Sequence, residues 1–310
     1  MSFTVQIKEE ISHIDSTKSE KIAELSGYIR NNSNIVKNRI IMTTENIFNV
    51  DRVAFSIKEL FDIEAKVEII GNVNFSKNSL YQITIDDLDY QVRETLGICD
   101  EKHKNLAVVP NYIVGGNEEI RAYLRGVFAS SGSINDPKTS RYHMELLIDS
   151  PNEAVFVQKL LNIFDLNAKI LNRDKGYMIY IKEAEKISDF IKILGANKAV
   201  MYFENIRVYR NQKNKTNRLN NCEQANMDKI IQTAETQLNH IKIIEDNDAL
   251  VLLDDKTKEA LEYRKKYPES SLKELAEIIT LETNKSITKS GLNHRMRKIK
   301  DLAERLSKNN

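Results

Sequence analysis

The sequence predicts an α+β fold in two parts, a duplicated α/β domain over residues 1–210 followed by an all-α domain over 222–310. Three observations predict it. A short apolar-striped segment with a glycine at its middle occurs twice, and the pattern that follows each copy agrees. A polar run without periodicity, Asn211-Gln212-Lys213-Asn214-Lys215-Thr216-Asn217, interrupts the chain and places a linker at 211–221. Beyond it every apolar pattern has the helical period. A length of 310 residues, twice a usual domain of roughly 150, agrees with two domains.

The first copy is Ala23-Glu24-Leu25-Ser26-Gly27-Tyr28-Ile29-Arg30-Asn31-Asn32-Ser33-Asn34-Ile35, and Ala122 to Ile134 lies over it without a gap. Each reads as a helix stopped by small polar residues. The repeats span about 20–100 and 119–195. After the first copy come extended runs from Ile35 to Met42, a helix from Val50 to Phe61, and strands at Lys66 to Ile70 and Tyr81 to Ile85. After the second come Tyr142 to Ile148, a helix opened by Pro151 and running to Phe164, and strands at Ala168 to Leu171 and Tyr177 to Ile181. Alternation puts Tyr142, Met144, Leu146 and Ile148 on one face and His143, Glu145 and Asp149 on the other, which suits antiparallel sheets backed by helices. Glu183 to about Arg210 closes the domain as helix. The C-terminal helices are expected at Cys222 to Ile244, Thr257 to Tyr267, Leu272 to Ile279 and Thr288 to Leu306.

The last two form a helix-turn-helix over about 271–306. Ser271-Leu272-Lys273-Glu274 is a capping box, and Leu272, Leu275, Ala276 and Ile279 follow at i, i+3, i+4, i+7. A polar connection from Thr280 to Ser286 leads to a second cap at Thr288. In the last helix Leu292, Met296, Ile299, Ala303 and Leu306 share one face. Ser290, Asn293, His294 and Arg297 point the other way, flanked by Lys289, Arg295, Lys298 and Lys300, with no acidic residue between Thr288 and Lys300. Amide, hydroxyl, imidazole and guanidinium groups suit base edges, and the flanking cations suit phosphates. A solvated basic face is the bland account of charge alone. The short hydrogen-bonding side chains, and the place of this helix as second of a capped pair, favour a DNA reader.

Composition narrows the remaining classes. Apolar residues make up 41% and charged residues 29%, which excludes disordered, collagenous and disulfide-rich chains. The N-terminus carries no secretory pattern and no stretch approaches the apolar length of a membrane span, so a cytoplasmic, nucleoid-associated protein is expected. Cys99 and Cys222 lie far apart and fit free thiols in a reducing compartment. The net charge of +1 argues neither way about nucleic acid, because clustering decides phosphate binding. No glycine-rich nucleotide loop, zinc spacing or nucleophile–base arrangement occurs, so no cofactor, metal or small-molecule substrate is expected. His13, His103 and His240 stand isolated and are expected at the surface or in packing.

Ser271 to Ala276 together with Ile287-Thr288-Lys289-Ser290-Gly291-Leu292-Asn293-His294-Arg295-Met296-Arg297-Lys298-Ile299 resembles the C-terminal signature of the WhiA family. The junction Asn217 to Asn226 and the central block Arg121 to Pro137 are similar to it as well, so the resemblance spans nearly the whole chain. It implies an N-terminal domain like a monomeric LAGLIDADG homing endonuclease and a C-terminal sigma-factor-like helix-turn-helix. It also implies a bacterial transcription factor linked to sporulation or, in non-sporulating species, to cell division and chromosome segregation. The connection Thr280 to Ser286 looks longer than that family's usual turn.

In LAGLIDADG enzymes two such helices pack through small residues, and an acid at the base of each holds a metal. Laying the motif on Leu25–Ser33 and Leu124–Gly132 puts Asn32 and Ser131 where the acids would stand. An amide and a hydroxyl are weak neutral ligands, so no catalytic residue and no metal site is expected. Gly27 and Gly126 keep a structural reading as points of close helix contact. On the sheets His143, Glu145, Asp149, Asp86, Asp87 and Asp89 would repel phosphate, whereas Lys37, Arg39, Lys169 and Lys182 would attract it. Three classes therefore stand: a regulator binding double-stranded promoter DNA, an adaptor docking RNA polymerase or another transcription factor, and a magnesium-dependent endonuclease. The first is the expectation.

Overall fold

The computed structural model describes residues 1–71, 79–139 and 141–308. The chain divides into two units, Met1–Arg210 and Asn211–Asn310, taken in turn.

The first unit opens with α1 (Phe3–Ser12), a helix the sequence reading did not place. Its signals are short but present: Ser2 caps it by accepting the Val5 amide, and Phe3, Ile7 and Ile11 recur one turn apart and are buried. The repeated unit follows. The first copy runs α2 (Lys18–Arg30), β1 (Ser33–Val36), β2 (Arg39–Thr44), α3 (Ile47–Phe61), β3 (Lys66–Gly71) and β4 (Leu80–Asp86). After α4 (Gln91–Thr95) and a 3-10 turn (Asn111–Val114), the second copy runs α5 (Asn117–Ser131), β5 (Gly132–Ile134), β6 (Met144–Ile148), α6 (Pro151–Ile163), β7 (Lys169–Asn172) and β8 (Tyr177–Ile181). The sheets have matching antiparallel orders, β1-β2-β4-β3 and β5-β6-β8-β7, so the duplication read in the sequence extends to topology.

Register explains the alternation. Ile40 and Met42 pair with Ile85 and Ile83, and Met144, Leu146 and Ile148 pair with Ile181, Ile179 and Tyr177, one face of each sheet being buried under helices. Tyr142, expected within this strand, lies before it, its ring packed near Phe203 and under the Arg210 guanidinium. The unit closes with α7 (Ala184–Leu194), stopped by Gly195 at φ +87°, and the first turns of α8 (Asn197–Asp246).

The aperiodic linker expected over 211–221 is not a coil: these residues belong to α8. Its asparagines, lysines and threonine carry no apolar stripe, which is why periodicity fails there, and all are exposed. Between Gly195 and Pro268 the sequence has neither glycine nor proline, and weak formers such as Asn cost only about 0.7 kcal/mol each, too little to break a helix propagating from both ends.

In the second unit, α8 continues to Asp246 and is followed by a 3-10 turn (Ala249–Leu252), α9 (Asp255–Lys266), α10 (Leu272–Thr283) and α11 (Lys289–Lys308). Ile241, Ile244, Leu261, Leu275, Ile279, Leu292, Met296 and Ile299 form its core. The connection between α10 and α11 is shorter than expected. Thr280 to Thr283 stay helical, their threonine hydroxyls donating back to the Ala276 and Ile279 carbonyls, and Asn284 ends the helix in the left-handed region at φ 56°.

Candidate nucleic-acid interface

Both caps of the helix pair are present. Ser271 Oγ accepts the Glu274 amide at 3.2 Å, and Glu274 Oε2 accepts the Ser271 amide at 2.8 Å. Thr288 Oγ1 accepts the Gly291 amide at 3.1 Å at the start of α11. The connection is pinned by Thr280, whose Oγ1 accepts the Ile287 amide at 3.1 Å. Arg264, 1% exposed, donates to the Ser270 carbonyl at 2.6 Å and fixes the approach to α10. Burial without a carboxylate lowers its pKa. These bonds hold α11 at a set angle over α10, with Leu292, Met296, Ile299 and Ala303 buried beneath it.

The eight residues expected to meet DNA separate into three groups. Lys289, Ser290, His294 and Arg297 are exposed, and Ser290, His294 and Arg297 lie within a narrow arc opposite the buried stripe. Asn293, half-buried, and Lys300 flank that arc on the side of α8. Arg295 and Lys298 lie on the side of α9 and are engaged there. Arg295 Nη1 donates to the Lys256 carbonyl at 3.1 Å and to Glu259 Oε2 at 3.2 Å, and Lys298 Nζ reaches Asp254 Oδ2 at 2.8 Å. Lys298, together with the Thr257 amide and hydroxyl, holds the Asp254 carboxyl down at about 2. These two cations brace α11 against α9, so the sequence pattern grouped structural charges with free ones.

In the first unit, α2 and α5 cross with their backbones in contact. A Cβ on Gly126 would overlap the Glu24 carbonyl oxygen and stand 2.8 Å from the Tyr28 amide, and one on Gly27 would overlap the Tyr123 carbonyl oxygen. Only glycine fits. Asn32 and Ser131 are spent on local bonds: Asn32, in the turn after α2, donates its Nδ2 to Tyr28 Oη at 3.1 Å, and Ser131, at the end of α5, its Oγ to the Val127 carbonyl at 3.2 Å. Asp136, just beyond β5, accepts from Tyr202 Oη at 3.2 Å. The sheet carboxylates are also less free than their number implies. Asp87 is buried and paired with Arg93 at 2.7 Å. Asp86 lies between Arg39 at 2.9 Å and Lys66 at 3.4 Å, which lower its pKa, and Glu145 meets His143 at 3.2 Å.

The sequence reading missed the α8 wall beside α11, where Lys229, Gln232, Thr233, Thr236 and His240 line a groove with Asn293 and Arg297. Their i, i+3, i+4, i+7 spacing was readable, but which side of α8 would adjoin the reader helix depends on packing.

The fold and this surface define a helix-turn-helix protein joined to a duplicated LAGLIDADG-like domain. Family models agree along the chain: the WhiA N-terminal LAGLIDADG-like domain matches residues 18–99, the WhiA LAGLIDADG-like domain 120–213, and the WhiA C-terminal HTH domain 216–303. The chain belongs to the WhiA family. It is 37% identical over 99% of its length, and 98% of the relative's, to a probable cell division protein WhiA of Enterococcus faecalis. It is 36% identical to one of Staphylococcus aureus, with the same shares of the two chains covered. Among solved structures, full-length DUF199/WhiA from Thermatoga maritima shares its fold with TM-score 0.61 at 23% identity, covering 98% of this chain and 99% of that one.

Proposed function

We propose that this chain is a sequence-specific double-stranded-DNA-binding protein that regulates transcription at promoters serving bacterial cell division, and that it does not cut DNA. The exposed arc of Ser290, His294 and Arg297, on the second helix of a capped pair and free of carboxylates from Lys289 to Lys300, carries this reading. The names of the Enterococcus and Staphylococcus relatives support the cellular role. The absence of cutting rests on Asn32 and Ser131, because hydrolysis of a phosphodiester by a bound metal needs anionic ligands there. The strands of the first sheet carry Arg39 and Lys66 against Glu68 and Asp86, so they offer little positive field for DNA, which favours RNA polymerase or another transcription factor as the partner of the first unit. Such a protein works at the nucleoid. No helix among the described residues is long and apolar enough to cross a membrane.

Binding of the full chain to a promoter duplex enriched in chromatin mapping, against a scrambled duplex of equal length, tests the reading. Arg297→Ala is expected to weaken promoter binding by about 1–3 kcal/mol, roughly 5- to 150-fold, and to narrow the gap between the two duplexes. Wild-type affinity for both in Arg297→Ala would overturn it. Supercoiled plasmid incubated with the protein and magnesium is expected to stay supercoiled, and nicked or linear product would overturn the absence of cutting.

A further inference from the structure

We infer that the groove between α8 and α11 in the second unit seats the sugar-phosphate backbone of the DNA that α11 reads, which makes α8 part of the binding surface. The inference rests on the DNA-binding reading above. The groove encloses about 500 Å³. Lys229, Thr233, Thr236 and His240 form its α8 wall at i, i+4, i+7 and i+11, one face of the helix, and Arg297 and Lys300 stand on its α11 wall. Three cations line it and no carboxylate does.

Those cations are available. Among the described residues Lys229 and Arg297 make no ion pair, and Lys300 has only Glu304 at 3.6 Å, a half-exposed pair one turn along its own helix. Such pairs are worth about 0.5 kcal/mol or less and yield readily to a phosphate. The two threonine hydroxyls donate to the Lys229 and Gln232 carbonyls, so they shape the wall, and the donors for a phosphate are Lys229, Lys300 and the Gln232 amide, with Arg297 left for the bases.

The other side of α11 is the internal comparison. There a groove of about 440 Å³ is lined by Asp254 and Asp255 together with Lys256, and its other two cations, Arg295 and Lys298, are bound to Glu259 and Asp254. A polyanion beside α11 therefore meets free positive charge toward α8 and compensated charge toward α9. Half or more of the hydrogen bonds in protein–DNA interfaces go to the backbone and set register without reading sequence. A strand laid along Lys229 and Lys300 would hold Arg297 and Asn293 over the base edges.

Salt titrations of the full chain on the promoter and scrambled duplexes test this. Each phosphate neutralised contributes about 0.9 to the slope of log K against log salt. Lys229→Ala is expected to lower the slope by about 1 on both duplexes, weaken both by roughly fivefold near 0.15 M salt, and leave their ratio unchanged. Lys256→Ala, on the α9 side, is expected to leave the slope unchanged. Lys229 is exposed on a helix, and a matching melting curve shows the variant folded, with Lys229→Gln as the substitute if it is not. A wild-type slope in Lys229→Ala, a loss confined to the promoter duplex, or an equal drop in Lys256→Ala would overturn the backbone seat. If Arg297→Ala still loses discrimination in those cases, the DNA-binding reading stands alone. If the wild-type chain binds neither duplex, both fall.

Discussion

Two arginine environments, one in each unit, show how differently the same side chain can be used. In the first, Arg52 and Arg125 converge on Glu24. Arg52 Nε and Nη2 reach its two carboxylate oxygens at 2.9 Å each, Arg125 Nε reaches it at 3.4 Å, and both guanidiniums also donate to Ser16 Oγ. Glu24 is 9% exposed, so this is an interior charge cluster clamping α2, α3 and α5. In the second, Arg297 is exposed and meets no carboxylate among the described residues. Partners, rather than residue type, separate an arginine that builds a fold from one left for a ligand.

That contrast predicts opposite outcomes for stability. Glu24→Ala takes the shared carboxylate from the buried Arg125 and the half-buried Arg52 and is expected to cost about 3 kcal/mol in denaturant unfolding. Arg297→Ala is expected to stay within about 0.5 kcal/mol of wild type in the same titration while weakening promoter binding. Comparable losses in the two variants would erase the distinction. An effect of similar size follows from the glycines. Gly126→Ala drives a Cβ into the Glu24 carbonyl oxygen, and the expected cost is about 3 kcal/mol because backbone, not a flexible side chain, must move. At Gly291 an added Cβ meets only Thr288 Oγ1 at 3.4 Å and Ile287 Cγ1 at 3.8 Å, so Gly291→Ala is expected to be neutral or stabilising by up to about 1 kcal/mol. A tolerated Gly126→Ala would mean that α2 and α5 can separate without harm.

The repeat and the capped helix pair were legible because each is written in local chemistry. Gly27 and Gly126 mark the crossing, and Ser271 with Glu274 and Thr288 mark the helix starts. The continuous α8 was not legible, since residues 211–221 touch no core and carry no stripe, leaving only the absence of breakers as a signal. Within the interface, helical geometry predicted which residues leave the core but not which cations are compensated. Arg295 and Lys298 are compensated by Glu259 and Asp254, residues about 40 positions earlier in the sequence and adjacent only after folding.

The brace from α11 to α9 supplies the weakest and most specific test of this comparison. Lys298 and the cap of α9 hold Asp254 at about 2, below the ordinary aspartate value of 3.8. A carboxyl with a depressed folded value adds stability that is full above its ordinary value and is lost as pH falls through the folded one. The window therefore lies between about pH 4 and pH 2. Asp254→Asn keeps a capping oxygen but cannot hold the charge, so its melting temperature is expected to lie below wild type at pH 5 and to converge on it as pH falls to 2. Glu282, held near 2 first by Lys266 and then by Tyr267, titrates in the same window in both proteins and cancels from the difference. A gap independent of pH would show that the Lys298 contact does not stabilise folding through the Asp254 charge. Lys298 would then have to be counted with Arg297 among the cations free to meet DNA.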